Sequence, residues 1–383
     1  MAAGAQYTVG VEEEYQLVDA RSAELRSRAR YVIATDWADE LKAEMQEHTV
    51  EVETRVCEGT DCVRDDLARL RFTAAIAAEA EGTRIVAAGT HPFSPAEGHA
   101  FNPAPVYQQL RADYRRLAES QAIFGMHVHV GLPPGTDRAR VCNVVRLHLP
   151  VLLALSASSP LWLGGDTGHA SYRSILWRRW PRSGAPPRFS SDAEYAELVR
   201  WMVESGRIDG PGRLYWELRP HHVYPTVEIR VADCTPRLQD AVLVASLARV
   251  VVAGAAEGVL AESPLPESFL QPLLSDNGWR ASRHGIAAEL ADLEGTEPRT
   301  LTVADAALRL AERLSGVAAE LGEAEELARL PALLREGGAA DAIRARAASL
   351  GGDLAAVTHW LADETVMGVG MDRRARLRLE ETV

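Results

Sequence analysis

The sequence has few cysteines and no excess of positive charge, and both absences exclude classes of protein. The four cysteines form no CxxC pair and are too few for a disulfide framework in 383 residues: Cys57, Cys62, Cys142 and Cys234. We therefore expect reduced thiols in a cytoplasmic protein. The net charge of −13 argues against general binding to nucleic acid or to an anionic membrane, since both require a basic surface.

Targeting signals, membrane segments and several familiar motifs are also lacking. The N-terminus has no basic region followed by an apolar one, so no signal peptide is expected. The most apolar stretch, residues 242–262, contains Arg249 and is typical of a buried core helix rather than a membrane span. We find no P-loop, dinucleotide fingerprint, GxSxG or HExxH motif, so none of these identifies the chemistry.

Strand-like segments dominate the first 235 residues, and helical segments follow. Alternation and periodicity predict strands at 8–19, 48–56, 84–93, 123–135, 213–222 and 226–234, and helices at 61–82, 104–121, 137–160 and 192–206. Pro150 should kink its helix, and residues 164–190 should form a long functional loop. The order predicts an α+β fold, a mainly antiparallel sheet covered by helices, with a helical C-terminal third. We expect a single catalytic domain over residues 1–383, sheet-rich in 1–235 and helical in 236–383.

Five predicted strands carry polar residues two positions apart, and such residues share one face of a strand. The pairs are Glu12 and Glu14, Glu51 and Glu53, His127 and His129, Glu217 and Arg219, and Glu228 and Arg230. If these faces coincide, the sheet carries one polar floor. Neighbouring carboxylates repel one another, and a bound divalent cation would offset that repulsion. We expect Glu53, the weakest member, to be structural.

The residue types on this floor indicate a site for a metal and a nucleotide. Carboxylates favour Mg²⁺, with Mn²⁺ as the alternative, and histidine can add a further ligand. Arginines suit phosphate or carboxylate groups, so the combination indicates a nucleoside triphosphate held through metal ions. Taken alone, a run of three glutamates is most often a solvated surface, and an HxH pair is as often a core feature as a ligand. The prediction therefore depends on the recurrence of the spacing.

Seven short segments of the sequence, taken in their order along the chain, form a recognisable set of motifs. They are TVGVEEEYQLVD, VEVET, FGMHVHVG, SYRSILWRRWPRSG, WELRP, TVEIRVADC and NGWRASRHG, within about residues 7–290. Together they resemble the carboxylate–amine ligases known as type-2 glutamate–cysteine ligases. The resemblance implies a glutamine-synthetase-like catalytic sheet, ATP as co-substrate and Mg²⁺ as the metal.

The resemblance also implies roles for individual residues. The implied metal ligands are Glu12, Glu14, Glu51, His127, His129, Glu217 and Glu228, with the choice between the two histidines open. The family usually has Asp where Glu217 stands. The implied catalytic residues are Glu12, Glu228, Arg230 and Arg219, and the implied contacts to ATP or to a substrate carboxylate are Arg230, Arg219, Arg173, Arg178 and Arg179.

The expected activity is ATP-dependent joining of a carboxylate to an amine through an acyl phosphate. The product is an amide, of which a γ-glutamyl amide is one form. The substrates would be small molecules such as amino acids, and the choice between a monomer and a homo-oligomer stays open. One alternative is a metal-dependent amide hydrolase that uses the same His and Glu cluster with Zn²⁺ or Mn²⁺, which leaves the arginines without a triphosphate. Another is a metal- or nucleotide-binding regulator without turnover.

Overall fold

The main sheet is antiparallel and gathers strands from the first two thirds of the chain. The computed structural model describes residues 6–370. In this part the main sheet has seven strands, in the order β2-β3-β1-β5-β9-β8, with β4 paired to the far half of β1. Its strands are β1 Val9–Asp19, β2 Leu41–Ala43, β3 Thr49–Glu53, β4 Thr83–Val86, β5 Gly125–Gly131, β8 Leu218–Pro220 and β9 Thr226–Asp233. Two short hairpins add β6 Leu161–Trp162 with β7 Gly165–Asp166, and β10 Glu289–Ala291 with β11 Thr300–Thr302.

Helices fill the connections and the C-terminal third. Those before β9 are α1 Ala29–Ala34, α2 Thr60–Ala80, α3 Pro105–Tyr114, α4 Arg116–Glu119, α5 Arg138–Val145, α6 Leu149–Ser156, α7 Tyr172–Trp177 and α8 Asp192–Glu204. Those after it are α9 Leu238–Ala256, α10 Glu267–His284, α11 Val303–Arg313, α12 Ser315–Glu320, α13 Ala324–Leu327, α14 Leu330–Glu336, α15 Ala339–Ser349 and α16 Leu354–Thr365.

The alternation of β1 decides which of its side chains enter the core. Val9 and Val11 pack in the same apolar cluster as residues of α2 and α9, and Glu13 lies on their face of the strand. Glu12 and Glu14 lie on the other face, which helices α2 and α9 do not cover. The sheet therefore has an apolar side that holds the fold together and a polar side that is free for function.

Within residues 6–370, two helical segments are long and apolar enough to cross a membrane by length and composition. They are Arg138–Ser156, which includes a 3₁₀ turn, and Leu238–Ala256. Within their most apolar windows 94% and 83% of the residues are buried inside the fold. Core helices of globular proteins have this property, and the second segment overlaps the stretch for which a core helix was predicted.

The structure confirms the predicted α+β class and corrects several local predictions. The helix predicted at 104–121 is divided at Arg115, whose φ is 47°. The interruption predicted at Pro150 is confirmed, since the helix tightens into a 3₁₀ turn at Arg146–His148, where proline has no N–H to donate to the preceding turn. Residues 164–190 are not a continuous loop, because they contain the helix α7. Ser171 caps this helix by accepting a hydrogen bond from the N–H of Ser174. The hairpin of β10 and β11 interrupts the predicted all-helical end.

The expectation of four reduced cysteines is wrong for one pair. Cys57 and Cys62 form a disulfide across the connection from β3 to α2, where the chain reverses and brings their Cα atoms to 5.6 Å. Cys142 and Cys234 are free and buried. The single catalytic domain over 1–383 stays a prediction, and its residues 1–5 and 371–383 lie outside the described part.

Candidate active site

The register of the sheet brings the predicted polar residues onto one face. Glu14 lies opposite Glu51, and Glu12 lies opposite His127. His129 is opposite Glu228, which in turn is opposite Arg219. Residues directly opposite one another in an antiparallel pair point to the same side of the sheet. The polar floor expected from the i, i+2 spacing therefore exists, and five strands contribute to it.

A cavity of about 330 Å³ lies over this floor. Eight of the predicted site residues line it: Glu12, Glu14, Glu51, His127, Arg173, Arg219, Glu228 and Arg230. The lining also includes an aromatic wall formed by Tyr107, Trp177, Trp180 and Tyr215. The cavity thus joins a strongly charged floor to an apolar wall, a combination common in binding sites for small organic ligands.

Three carboxylates at one end of the cavity approach one another closely. One carboxylate oxygen from each of Glu14, Glu44 and Glu51 lies within 4.8 Å of the other two. Burial and the charge of Glu14 raise the pKa of Glu44 to about 7. Burial, followed by the charges of the neighbouring glutamates, raises the pKa of Glu51 well above its usual range. Among the described residues no salt bridge reaches these three groups, so their oxygens suit a hard divalent cation such as Mg²⁺ or Mn²⁺.

Glu12 sits between the two histidines of β5. Nδ1 of His127 lies 2.7 Å from one of its oxygens, and Nε2 of His129 lies 3.0 Å from the other. Burial alone would raise the pKa of Glu12, but the interactions with both histidines outweigh burial and hold it well below its usual range. Glu12 is therefore a carboxylate at any physiological pH. Both histidines meet the same carboxylate, so the choice between them as a metal ligand stays open.

Glu228 is fixed by two arginines. Nε of Arg219 donates to its carboxylate at 2.7 Å, and Arg230 donates to the other oxygen. These charges overcome the effect of burial and hold the pKa of Glu228 well below its usual range. Arg219 also donates to the carbonyl of Leu214 at 2.8 Å, so its guanidinium is largely engaged within the protein. This geometry favours a role for Arg219 in orienting Glu228 more than in contacting phosphate.

Two arginines at the cavity have buried donors without a partner. The Nε atoms of Arg173 and Arg230 are shielded from solvent and form no hydrogen bond with the described residues. An unused guanidinium donor in a buried place is costly unless a ligand satisfies it. Arginine pairs well with phosphate and carboxylate oxygens, so these two side chains suit an anionic ligand.

Four of the twelve predicted site residues do not line this cavity. One is His129, which contacts Glu12, and the other three are Glu217, Arg178 and Arg179. Glu217 is 3.3 Å from Arg178, which also donates to the carbonyl of Ser275. Arg179, which follows α7, donates to the carbonyl of Leu176 in that helix. None of the three lines the cavity, so their predicted contacts to metal or phosphate would require a rearrangement.

Sequence reasoning missed two residues of the polar floor. Glu44 directly follows the short strand β2 and joins the carboxylate cluster. Lys42, on the same strand, lies opposite Glu51 in register and forms a salt bridge with Glu53. Lys42 is the only lysine among the 41 lysine and arginine residues of the sequence. This was the one feature of the sequence that could have drawn attention to it.

The sequence relatives decide the family. A sequence model described as glutamate-cysteine ligase family 2 matches residues 8–359. The chain belongs to this family. A protein of Herpetosiphon aurantiacus with the provisional name glutamate–cysteine ligase 2 is 33% identical over 374 residues, covering 97% of this chain and 96% of the relative. A similarly named protein of Rubrobacter xylanophilus is 38% identical over 363 residues, covering 94% and 97%.

Solved structures share the fold at low sequence identity. A glutamate–cysteine ligase from Francisella tularensis in complex with AMP matches with a TM-score of 0.71 and 12% identity, covering 98% of this chain and 92% of that one. A bifunctional glutathione synthetase from Pasteurella multocida matches with a TM-score of 0.68 and 15% identity. The match covers 96% of this chain but only 53% of that protein.

Family membership makes this chain an enzyme of the carbon–nitrogen ligase type, which uses ATP to form an amide bond. The comparisons give no support to the amide-hydrolase alternative. The predicted family, fold class and reaction type are therefore confirmed, whereas the roles of individual residues stay predictions.

Proposed function

We propose that the enzyme joins the carboxylate of an amino acid to a small amine, with L-glutamate as the first acid to test and a γ-glutamyl amide as the product. The observation that carries this proposal is a single cavity that holds both a carboxylate cluster and unused guanidinium donors. A hydrolase would need the carboxylates but would leave Arg173 and Arg230 without an anion. A ligase that binds a triphosphate and a carboxylate uses both sets of groups.

Glu14, Glu44 and Glu51 would hold a divalent cation. The cation, Mg²⁺ in our proposal and Mn²⁺ as the alternative, would neutralise phosphate charge as the phosphoryl group moves. Glu12 and Glu228 stay ionised at neutral pH, and each is paired within the protein, Glu12 with the two histidines and Glu228 with two arginines. Both are poor proton acceptors for the same reason, so we assign them to charge and orientation rather than to general base catalysis.

The arginines would hold the anionic parts of the substrates. Arg230 faces the cavity beside Trp177 and would contact a phosphate, whereas Arg173 would contact a carboxylate or phosphate through its free Nε. The substrate carboxylate oxygen then forms a bond to the γ-phosphorus, and the bond to ADP breaks. Next the amine forms a bond to the acyl carbon, phosphate leaves, and the amine nitrogen loses a proton to solvent. The enzyme contributes mainly position and charge neutralisation.

A second cavity of about 340 Å³ meets the first at Glu12. Its walls include Val56, Tyr224 and Pro225, and His129 also lines it. Such apolar walls suit the base of a nucleotide, and the shared Glu12 would then lie where the two substrates meet. We propose that ATP occupies this side and that the acid and amine occupy the aromatic side.

The aromatic wall favours an amine with an apolar body. Tyr107, Trp177, Trp180 and Tyr215 offer flat apolar surface, and none of these side chains selects a thiol. Cysteine is therefore one candidate among several. The use of ATP and free amino acids is consistent with a cytoplasmic enzyme.

The test is an ADP-release screen with Mg²⁺, in which L-glutamate and other amino acids are combined with a panel of amines and thiol-bearing amino acids. We expect ADP release that requires both an acid and an amine, and mass spectrometry should find the amide. Loss of an amide without ATP would instead favour hydrolysis. Nucleotide binding without ADP release for any pair would favour a regulator.

A further inference from the structure

A buried carboxylate next to the cavity has no part in the proposed chemistry. Asp233 ends β9, is inaccessible to solvent and does not line the cavity. Its side chain accepts hydrogen bonds from the N–H of Ser158 at 3.0 Å, the Oγ of Ser159 at 2.6 Å and the Oγ of Ser171 at 2.8 Å. These bonds join the end of β9 to the residues after α6 and to the cap of α7.

The same carboxylate lies beside the guanidinium of Arg173. The separation between Asp233 and Nη1 of Arg173 is 3.7 Å. The two Nη atoms donate to main-chain carbonyls of β9, at 3.2 Å to Val231 and 3.1 Å to Arg230. The backbone N–H of Arg173 donates to the Oγ of Ser159 at 3.1 Å. The backbone of Arg173 is thus tied to Ser159, which Asp233 orients, and its guanidinium lies between the Asp233 carboxylate and the backbone of β9.

Two glycines leave room for this arrangement. A Cβ at Gly125 would lie 2.4 Å from Nη2 of Arg173, so the guanidinium rests directly on the backbone of β5. A Cβ at Gly89 would lie 2.6 Å from the carboxylate of Asp233. The first glycine of the FGMHVHVG motif, Gly125, therefore leaves space for an arginine 48 positions later in the chain.

We infer that Asp233 is a positioning residue that acts through Arg173. Asp233 offsets the buried positive charge of Arg173 and anchors the first turn of α7. Both Nη atoms of Arg173 then donate within the protein, and its Nε remains free to donate to a ligand. That ligand is an oxyanion group, a carboxylate of a substrate or a phosphate of ATP. The inference rests on the proposed function for the identity of the ligand, but the positioning itself does not.

The kinetic test compares Asp233→Asn with Asp66→Asn. Asp66 is a matched control, since it is also buried and bonded to arginine, through Arg69 at 2.7 Å, but it lies away from the cavity. In Asp233→Asn we expect the KM for one oxyanion-bearing substrate to rise about tenfold, the loss typical of one charge-assisted contact, with the other KM values nearly unchanged. The substrate whose KM rises shows whether Arg173 contacts a carboxylate or a phosphate. A uniform fall in kcat with no split among KM values would overturn the inference.

A double-mutant cycle tests whether Asp233 works through Arg173. In an Arg173→Ala background, Asp233→Asn should change the same KM by less than about twofold, because coupled residues are non-additive. An equal effect in both backgrounds would contradict the inference.

A measurement without turnover separates this inference from the proposed function. Hydrogen–deuterium exchange should quicken in a peptide covering Tyr172–Trp177 in Asp233→Asn, and not in Asp66→Asn. Unchanged exchange in this peptide would contradict the positioning role, even if the enzyme is a ligase. If no acid–amine pair releases ADP, the proposed function fails, and faster exchange in this peptide alone still supports the positioning role.

Discussion

Glu13 and Glu14 are neighbours on β1, yet the fold treats their charges in opposite ways. Glu13 points into the core and forms a buried salt bridge with Arg71, at 2.6 Å, and also accepts from the hydroxyl of Tyr15. Glu14 points to the other face, where Glu44 and Glu51 are its neighbours and no cation of the described chain pairs with it. A run of three glutamates can therefore contain both a structural and a functional charge. Charge that the protein itself neutralises supports folding, whereas charge left uncompensated is available for a ligand.

The largest effect is expected when the charge of Glu14 is neutralised. Glu14→Gln removes one charge from the cluster and should lower ADP release by about 10²–10³-fold, the loss expected when one electrostatic contact to a transition state is removed. Because the substitution also relieves repulsion, thermal stability should be equal or slightly higher. Steady-state ADP release and a thermal melt measure the two effects. Retained activity in a folded Glu14→Gln protein would contradict the assignment.

Neutralising Glu13 should do the reverse. Glu13→Gln leaves the Arg71 guanidinium buried without its counter-charge and should lower the free energy of unfolding by about 3–5 kcal/mol. Activity per folded molecule should change little. Denaturant unfolding gives the first quantity, and ADP release normalised to the folded fraction gives the second. A stable but inactive Glu13→Gln protein would reverse the roles given to the two faces.

Adding Mg²⁺ should stabilise the protein more strongly as the pH rises. The folded pKa of Glu44 is raised to about 7 from an ordinary value of 4.5, so its contribution to stability is fully present below 4.5 and is lost as the pH rises through about 7. A cation takes the place of the proton, and at 100 times its dissociation constant it adds about 2.7 kcal/mol. Melts at pH 6 and pH 8, with and without Mg²⁺, should show a larger Mg²⁺ shift at pH 8. A shift that is larger at pH 6 would count against these ligands.

The smallest effect is expected at the exposed edge of the floor. Lys42 and Glu53 form a salt bridge with side chains 52% and 39% exposed, and such pairs contribute about 0–1 kcal/mol. Glu53→Gln should therefore leave both stability and Mg²⁺ dependence nearly unchanged. A large loss of ADP release in this variant would show that the cluster extends further along the floor than Glu51.

Much of the floor could be predicted from sequence, because strand alternation is a short-range rule. Pairs such as Glu12 with Glu14 and Glu228 with Arg230 share a face wherever the strand occurs, and the antiparallel register only had to align them. The family resemblance supplied the fold and the reaction. Neither the spacing nor the resemblance could say which charges would be neutralised by the protein, since that depends on partners distant in sequence, as Arg71 is from Glu13.

The remaining differences between the sequence-based expectations and the structure have the same origin. Glu44 was missed because β2 has only three residues and shows no alternation long enough to detect. Arg178 and Glu217 were expected at the cavity, but they bind each other, which spacing cannot reveal. The Cys57–Cys62 disulfide depends on a chain reversal between β3 and α2, and the sequence alone gave no CxxC signal for it.

The most direct test of the central claim is calorimetric titration with Mn²⁺, used as a probe of the divalent-cation site, on three proteins. The wild type and Glu53→Gln should bind Mn²⁺ with similar affinity at pH 8. Glu14→Gln should bind Mn²⁺ at least about tenfold more weakly, because it loses one of the three carboxylate ligands of the cation. Equal Mn²⁺ affinity in all three proteins would contradict the claim that the uncompensated carboxylates of this face form a cation site.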